Sequence, residues 1–291
     1  MIHKIPYSEI DFDKYDSCIS GSSYPVIYAQ SWFLRALIKS DWEVLMYNDY
    51  EAVMPITRAR MKKSLWKKSI IPPYFCQQLG VFFQKTPDSN IFNMFYESFL
   101  KLNPVVYHFN HANSNFIQNQ NNIRLRTNYV LDIRPDYSEI FKNYSTSKRQ
   151  TVRNALRNNL EIIELDDSKE FLQFFHKHQV AKESFKIQQM RNSLISELIK
   201  RKSVEMYFVK KEEEIIATAL FAFYQDRIYY LNSASTTSGR KFLAMHFLID
   251  FVIQKYAGKY NYFDFEGSEI PGVAEFMKSF GAENQSFAIW A

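Results

Sequence analysis

Apolar and polar positions alternate along much of the chain in two different periods, and the changes of period mark out its elements. Residues 31–40 (SWFLRALIKS) place apolar side chains three and four apart, which predicts a helix. Residues 42–60 (WEVLMYNDYEAVMPITRAR) alternate instead, predicting two strands that turn at Asn48-Asp49. Pro72-Pro73 enforces an extended path, and residues 88–102 return to a helical period. A strand over 105–110, a polar loop over 110–122 (NHANSNFIQNQNN) and a strand over 126–133 complete the first half. The second half opens on a helix over 145–158, capped by Ser145, Thr146 or Ser147. A strand over 160–165 and helices within 167–202 follow. Residues 204–235 then predict three antiparallel strands, turning at Glu212–Glu214 and at Asp226-Arg227. A helix over 242–257 leads to the strand 260–268 (YNYFDFEGS), then to an amphipathic helix (GVAEFMKSFGAE) and a last strand, 285–291. Strand, crossover helix and strand over 228–266 make a right-handed parallel unit.

The 291 residues are enough for two domains of ordinary size, and we divide them at 1–135 and 136–291. Each half contains an aromatic-rich strand, a polar turn and a small-residue strand in that order, as a duplication would leave behind. With 17% aromatic residues the chain has ample apolar area for sheets packed on helices, so an α/β fold with mixed central sheets flanked by helices is expected. Cys18 and Cys76 have neither metal spacing nor a disulfide framework. The longest apolar run, Ile215–Phe223, is far short of a membrane span. Together with the absence of a charged, apolar leader, these features predict a cytoplasmic protein. The net charge of +5 is mild and lies mostly in one run, with Arg58, Arg60, Lys62, Lys63, Lys67 and Lys68, which reads as a solvated hairpin tip.

Candidate chemistry concentrates at the strand 260–268. Alternation puts Tyr262, Asp264 and Glu266 on one face and Phe263 and Phe265 on the other. Two acids on so aromatic a strand are costly unless they meet water, a partner or a substrate. Arg149, Arg153 and Arg157 form a basic stripe at four-residue spacing. His108 with His111 and His176 with His178 are spaced so that the imidazoles diverge, and no metal site is expected. No Walker loop or dinucleotide fingerprint is present. Glu183 and Phe185 are further candidates, for an acceptor cleft.

The stretches KRQTVRNALRNNLEI (148–162) and FDFEGSEIPGVAEFMKSFGAE (263–283) resemble the Fem-like branch of the GNAT acyl-CoA N-acyltransferase superfamily, and PPYFCQQLGVFF in the first half adds to the likeness. That resemblance implies tandem GNAT-like domains, the first degenerate and the second carrying the site. It implies transfer of an acyl or aminoacyl group from acyl-CoA or aminoacyl-tRNA to an amine on a small molecule or a cell-wall or glycan precursor, with tRNA as a further partner. In such an arrangement the strand ending at Ser235 and the strand ending near Ser268 diverge at their tips. The backbone around Asn232 and Ser233 then polarises the carbonyl, and Asp264 or Glu266 accepts the proton of the amine. The turn 236–242, with Ser238, Gly239, Arg240 and Lys241, binds the carrier phosphate. Thr236 and Lys241 depart from the superfamily pattern there, where only Gly239 fits. The charged heptad insertion of some Fem proteins is missing between 167 and 202. A different class of reading is a non-catalytic binding protein that keeps the fold and its cleft.

Overall fold

The computed structural model describes residues 1–60, 68–118, 120–165, 167–179 and 182–291. Lys62, Lys63 and Lys67 of the basic run lie outside them. The chain forms two compact units. One comprises 1–126, 185–197 and 286–291, and the other 127–184 and 198–285.

The first unit begins with β1 (Ile2–Pro6), α1 (Phe12–Ser20), α2 (Ser31–Ile38), β2 (Trp42–Tyr47), β3 (Ala52–Arg60), β4 (Lys68–Ile70) and β5 (Phe82–Phe83). The five strands make one sheet in which β2 and β3 form the expected hairpin, Trp42 opposite Thr57. Its turn places Asn48 and Tyr50 at positive φ. Two cations of the basic run are tied down, Arg58 to Glu43 at 2.6 Å and Lys68 to Asp41. Next come α3 (Ser89–Leu100), β6 (Tyr107–His108), α4 (His111–Ile117) and β7 (Ile123–Arg126). Helix α4 falls where composition predicts a polar loop. Asn110 caps it through the Asn113 amide, and the Asn113 side chain bonds both backbone groups of Val81, so the Asn-rich stretch is a buried anchor.

The second unit starts with β8 (Tyr129–Asp132), α5 (Tyr137–Asn143), α6 (Thr146–Leu156), β9 (Leu160–Glu164) and α7 (Ser168–His178). Helix α8 (Phe185–Lys200) follows, belonging to the first unit as far as Glu197. The chain then lays down β10 (Val204–Lys211), β11 (Glu214–Tyr224) and β12 (Arg227–Ser235), the three antiparallel strands of the sequence analysis. After α9 (Thr237–Lys241) and α10 (Ala244–Tyr256), β13 (Tyr262–Asp264) joins β12 in parallel. Helix α11 (Pro271–Lys278) and β14 (Glu283–Asn284) close the unit, and β15 (Phe287–Trp290) pairs between β6 and β7 in the first.

The seven-stranded sheet of the second unit runs β14-β8-β13-β12-β11-β10-β9. Helix α10 packs against α6 and β11, with Leu248, Ile249, Val252 and Ile253 buried at helical spacing in one core with Tyr207, Phe221 and Phe263. The basic stripe braces its own neighbourhood. Arg149 donates to the carbonyls of Lys142 and Tyr144, and the Arg153 guanidinium lies 5.9 Å from the Phe141 ring centre.

Candidate active site

Strands β12 and β13 are in register only from Arg227 opposite Tyr262 to Tyr229 opposite Asp264. There β13 ends, while β12 continues six residues to Ser235, paired only with β11. A bulge at Leu231 separates the Tyr230–Phe221 and Asn232–Leu220 pairs. Past Tyr229, β12 therefore runs on beyond the end of β13.

A cavity of about 460 Å³ opens beside that end of β12. Its walls come from β12 (Tyr230, Ser233, Ala234, Ser235), from the turn and start of α10 (Gly239, Arg240, Leu243, Met245, His246), from α11 (Gly272, Val273, Phe276, Met277) and from His178 at the end of α7. Most of these side chains are apolar, with a few polar groups among them, which is the composition of a small-molecule site. The Tyr230 hydroxyl donates to Ser233 Oγ at 2.5 Å, and burial pushes the phenol up to about 12, so it stays protonated at neutral pH. With its oxygen accepting from Tyr230, the Ser233 hydroxyl keeps its own proton for a ligand.

The turn before α10 holds its shape through Thr236, whose hydroxyl accepts from the Gly239 amide at 2.9 Å. Gly239 sits so close to β11 that a Cβ would lie 2.1 Å from the Ile216 carbonyl oxygen. Arg240 is exposed, donating to Ser235 O and Thr237 Oγ1. Ser238 is half-buried and Lys241 exposed, and neither lines the cavity, so the bulk of Lys241 does not obstruct it.

The acids of the strand have different surroundings from their strand alternation. Asp264 is 1% exposed and accepts from the Arg227 guanidinium at 2.8 Å and from the Asn128 amide at 3.3 Å. Its other oxygen accepts from the Glu266 backbone N–H at 2.9 Å. That bond turns the chain out of the sheet, with Glu266 at φ 62° and Gly267 at φ 71°. Any Cβ at Gly267 would lie 2.4 Å from Thr127 O. Extended geometry thus stops at Asp264, and Glu266 does not continue its face. Neither acid lines the cavity, nor does Asn232. Of the residues singled out in sequence, the cavity brings together Ser233, Gly239 and Arg240.

A residue at the wall and the one behind it escaped the sequence reading. His246 lines the cavity, and its Nδ1 is 2.8 Å from the Nζ of Lys148 on α6. Lys148 is only 3% exposed, with Nζ 4.0 and 3.8 Å from the ring centres of Phe276 and Phe280. Burial brings the ammonium down to about 7, against the pull of Asp250 and Glu275. Burial, with the neighbouring Lys148 charge, brings His246 to about 4. The paired histidines of the first unit serve as backbone anchors instead, His108 to Gln77 O and His111 to Ser286 O. Phe185 is exposed at the start of α8.

A mixed sheet with one short parallel pair and a glycine turn leading into the crossover helix is the fold that this chain shares with FemX. Among solved structures the chain is similar to FemX, at 13% identity and a TM-score of 0.70 over 98% of this chain and 96% of that one. It is also similar to the C-terminal domain (DUF2156) of a putative lysylphosphatidylglycerol synthetase from Agrobacterium fabrum, at 11% identity and a TM-score of 0.58 over 98% and 92% of the two chains. The structure of L-PGS from Bacillus licheniformis matches at 13% identity and a TM-score of 0.55 over 95% and 90%. No family model and no curated protein matches the sequence. No described helix is long and apolar enough to cross a membrane.

Proposed function

We propose that the chain is an N-acyltransferase whose second unit holds a carrier-bound acyl group in the cavity beside the end of β12, the first unit being the degenerate partner. The single observation that supports this most is the cavity's position. It opens beside the part of β12 that runs on past β13, where Tyr230, Ser233, Ala234 and Ser235 line the space in which a carbonyl would sit. Tyr230 fixes Ser233 and keeps it a donor, so the developing oxyanion meets a hydrogen bond already in place. Arg240 at the rim supplies positive charge for the carrier phosphate. Asp264 holds the end of β13 through Arg227. The carrier is acyl-CoA, with aminoacyl-tRNA the second candidate that the fold suggests, and the acceptor is an amine on a small molecule or a cell-wall precursor. A cytoplasmic location follows from these co-substrates.

The test is release of free thiol from acetyl-CoA in the presence of a panel of amines, with product masses measured and Gly272→Trp as control. Gly272 lines the cavity, and a Cβ there meets no atom within 4 Å, so tryptophan fills the space without straining the backbone. Amine-dependent release by the native chain, reduced at least tenfold in Gly272→Trp, is the expected result. An unaltered rate in Gly272→Trp would place the chemistry elsewhere. Failure of both acetyl-CoA and an aminoacyl-tRNA to react, with ligand still binding in the cavity, would favour the non-catalytic binding protein.

A further inference from the structure

An amine that attacks an acyl carbonyl must give up a proton, and Asp264, the acid at the end of β13, is spent on Arg227, Asn128 and the Glu266 amide. The cavity wall offers an imidazole with an unusual partner. His246 Nδ1 is occupied by Lys148 Nζ, which leaves Nε2 as the ring nitrogen available to a ligand. Lys148 is drawn from α6, 98 residues away in sequence, and is buried against two aromatic faces. The groups that face this pair are Phe276, Phe280 and Glu275 from the α11 side and Asp250 on α10, one turn beyond His246. Asp250 is held in turn by α5, accepting from the Tyr137 hydroxyl at 2.9 Å, with the Tyr144 hydroxyl buried beside it. Burial raises the Asp250 carboxyl, while its charge, like that of Glu275, favours an ammonium at Lys148.

We propose that His246 is the proton acceptor of the transfer and that Lys148 is the positioning residue behind it, taking the proton from the far side of the ring. This rests on the acyl-transfer reading above. As the nitrogen–carbon bond forms, the N–H proton of the amine passes to Nε2 and the Nδ1 proton passes to the neutral Lys148 amine. The carbon–sulfur bond to the carrier, or carbon–oxygen bond for an ester, then breaks with its electron pair on the leaving atom, and that atom takes a proton from water. The Lys148 ammonium, stabilised meanwhile by the rings of Phe276 and Phe280 and the charges of Asp250 and Glu275, returns its proton to solvent. A charged Lys148 can only donate to Nδ1, leaving Nε2–H unable to accept. A neutral Lys148 can receive from Nδ1–H and frees the Nε2 lone pair. Lysine with its compact amine can do this, and a guanidinium cannot.

The full chain with nitrogen-15-labelled histidine tests this through the two ring-nitrogen shifts of His246 in long-range proton–nitrogen spectra from pH 5.5 to 9.5. The expected result is an exchange of protonated and unprotonated character between Nδ1 and Nε2 with a midpoint near 7. Lys148→Arg, which keeps the donor and the charge, and Lys148→Met freeze the ring in one tautomer, whereas His178→Gln leaves the exchange intact. His246 shifts that stay constant over the range, or move equally in Lys148→Arg, would overturn the proposal. Calorimetry with acetyl-CoA on the same samples separates this from the carrier reading. An exchanging His246 without acetyl-CoA or aminoacyl-tRNA binding rejects the carrier and keeps the proton-exchanging pair. Binding with a frozen His246 does the reverse.

Discussion

Replacing Asp264 by Asn removes one charge from a pair that the second unit has almost wholly withdrawn from water. The side chains of Arg227 and Asp264 are 6% and 2% exposed and 2.8 Å apart. Breaking such a pair from one side costs about 3–5 kcal/mol. Asparagine can still accept from the Glu266 amide and offer Arg227 a neutral carbonyl, which puts the expected loss near the lower end, about 3 kcal/mol. Removing both charges, as in Arg227→Met with Asp264→Leu, restores all but about 1 kcal/mol, because no orphan charge remains. Urea unfolding followed by tryptophan fluorescence and by far-ultraviolet circular dichroism measures both variants against the native chain. If Asp264→Asn stays within about 1 kcal/mol of the native chain while acyl transfer collapses, Asp264 is a proton acceptor after all and its structural assignment falls.

Lys148 sets a pH dependence of stability. Its folded value of about 7 lies below the ordinary lysine value of 10.5, so the unfolded chain binds more protons between those values and stability rises with pH across that window. Between pH 7 and pH 9 the rise is about 2 kcal/mol, at 1.36 kcal/mol per unit of linkage. Lys148→Met should lack it in denaturation series at the two pH values, and parallel profiles would refute the burial of a titrating amine. Gly239→Ala should lower the melting temperature and weaken acetyl-CoA binding, because its Cβ would sit 2.1 Å from Ile216 O and displace the turn from β11. An unchanged melting curve would contradict that packing.

The frame of the second unit was legible because period and turn chemistry agree along it. The strands over 204–235, the crossover helix and the parallel strand all form where alternation and helical spacing put them. Alternation also drew attention to the acids of this strand, but it cannot distinguish a free acid from a paired one. The partner of Asp264 is 37 residues away on a neighbouring strand, and only register brings Arg227 beside it. Lys148 was hidden by its company, since a helix reading SKRQTVRN resembles a solvated basic face. One signal was there: Lys148, Val152 and Ala155 fall four and three residues apart, on the stripe of α6 that is buried. The strand Tyr129–Asp132 shows the same limit from another side. Its alternation predicts a strand, and only long-range pairing puts it between β13 and β14 of the second unit's sheet.

The occupancy of the cavity beside the end of β12 is what the functional account stands on. Amide hydrogen exchange of the full chain, with and without acetyl-CoA, measures it directly. The account predicts slowed exchange confined to residues 230–241 and the first turns of α10 and α11, and no such slowing in Gly272→Trp. Exchange unchanged there under saturating ligand, or slowed equally in Gly272→Trp, would contradict it.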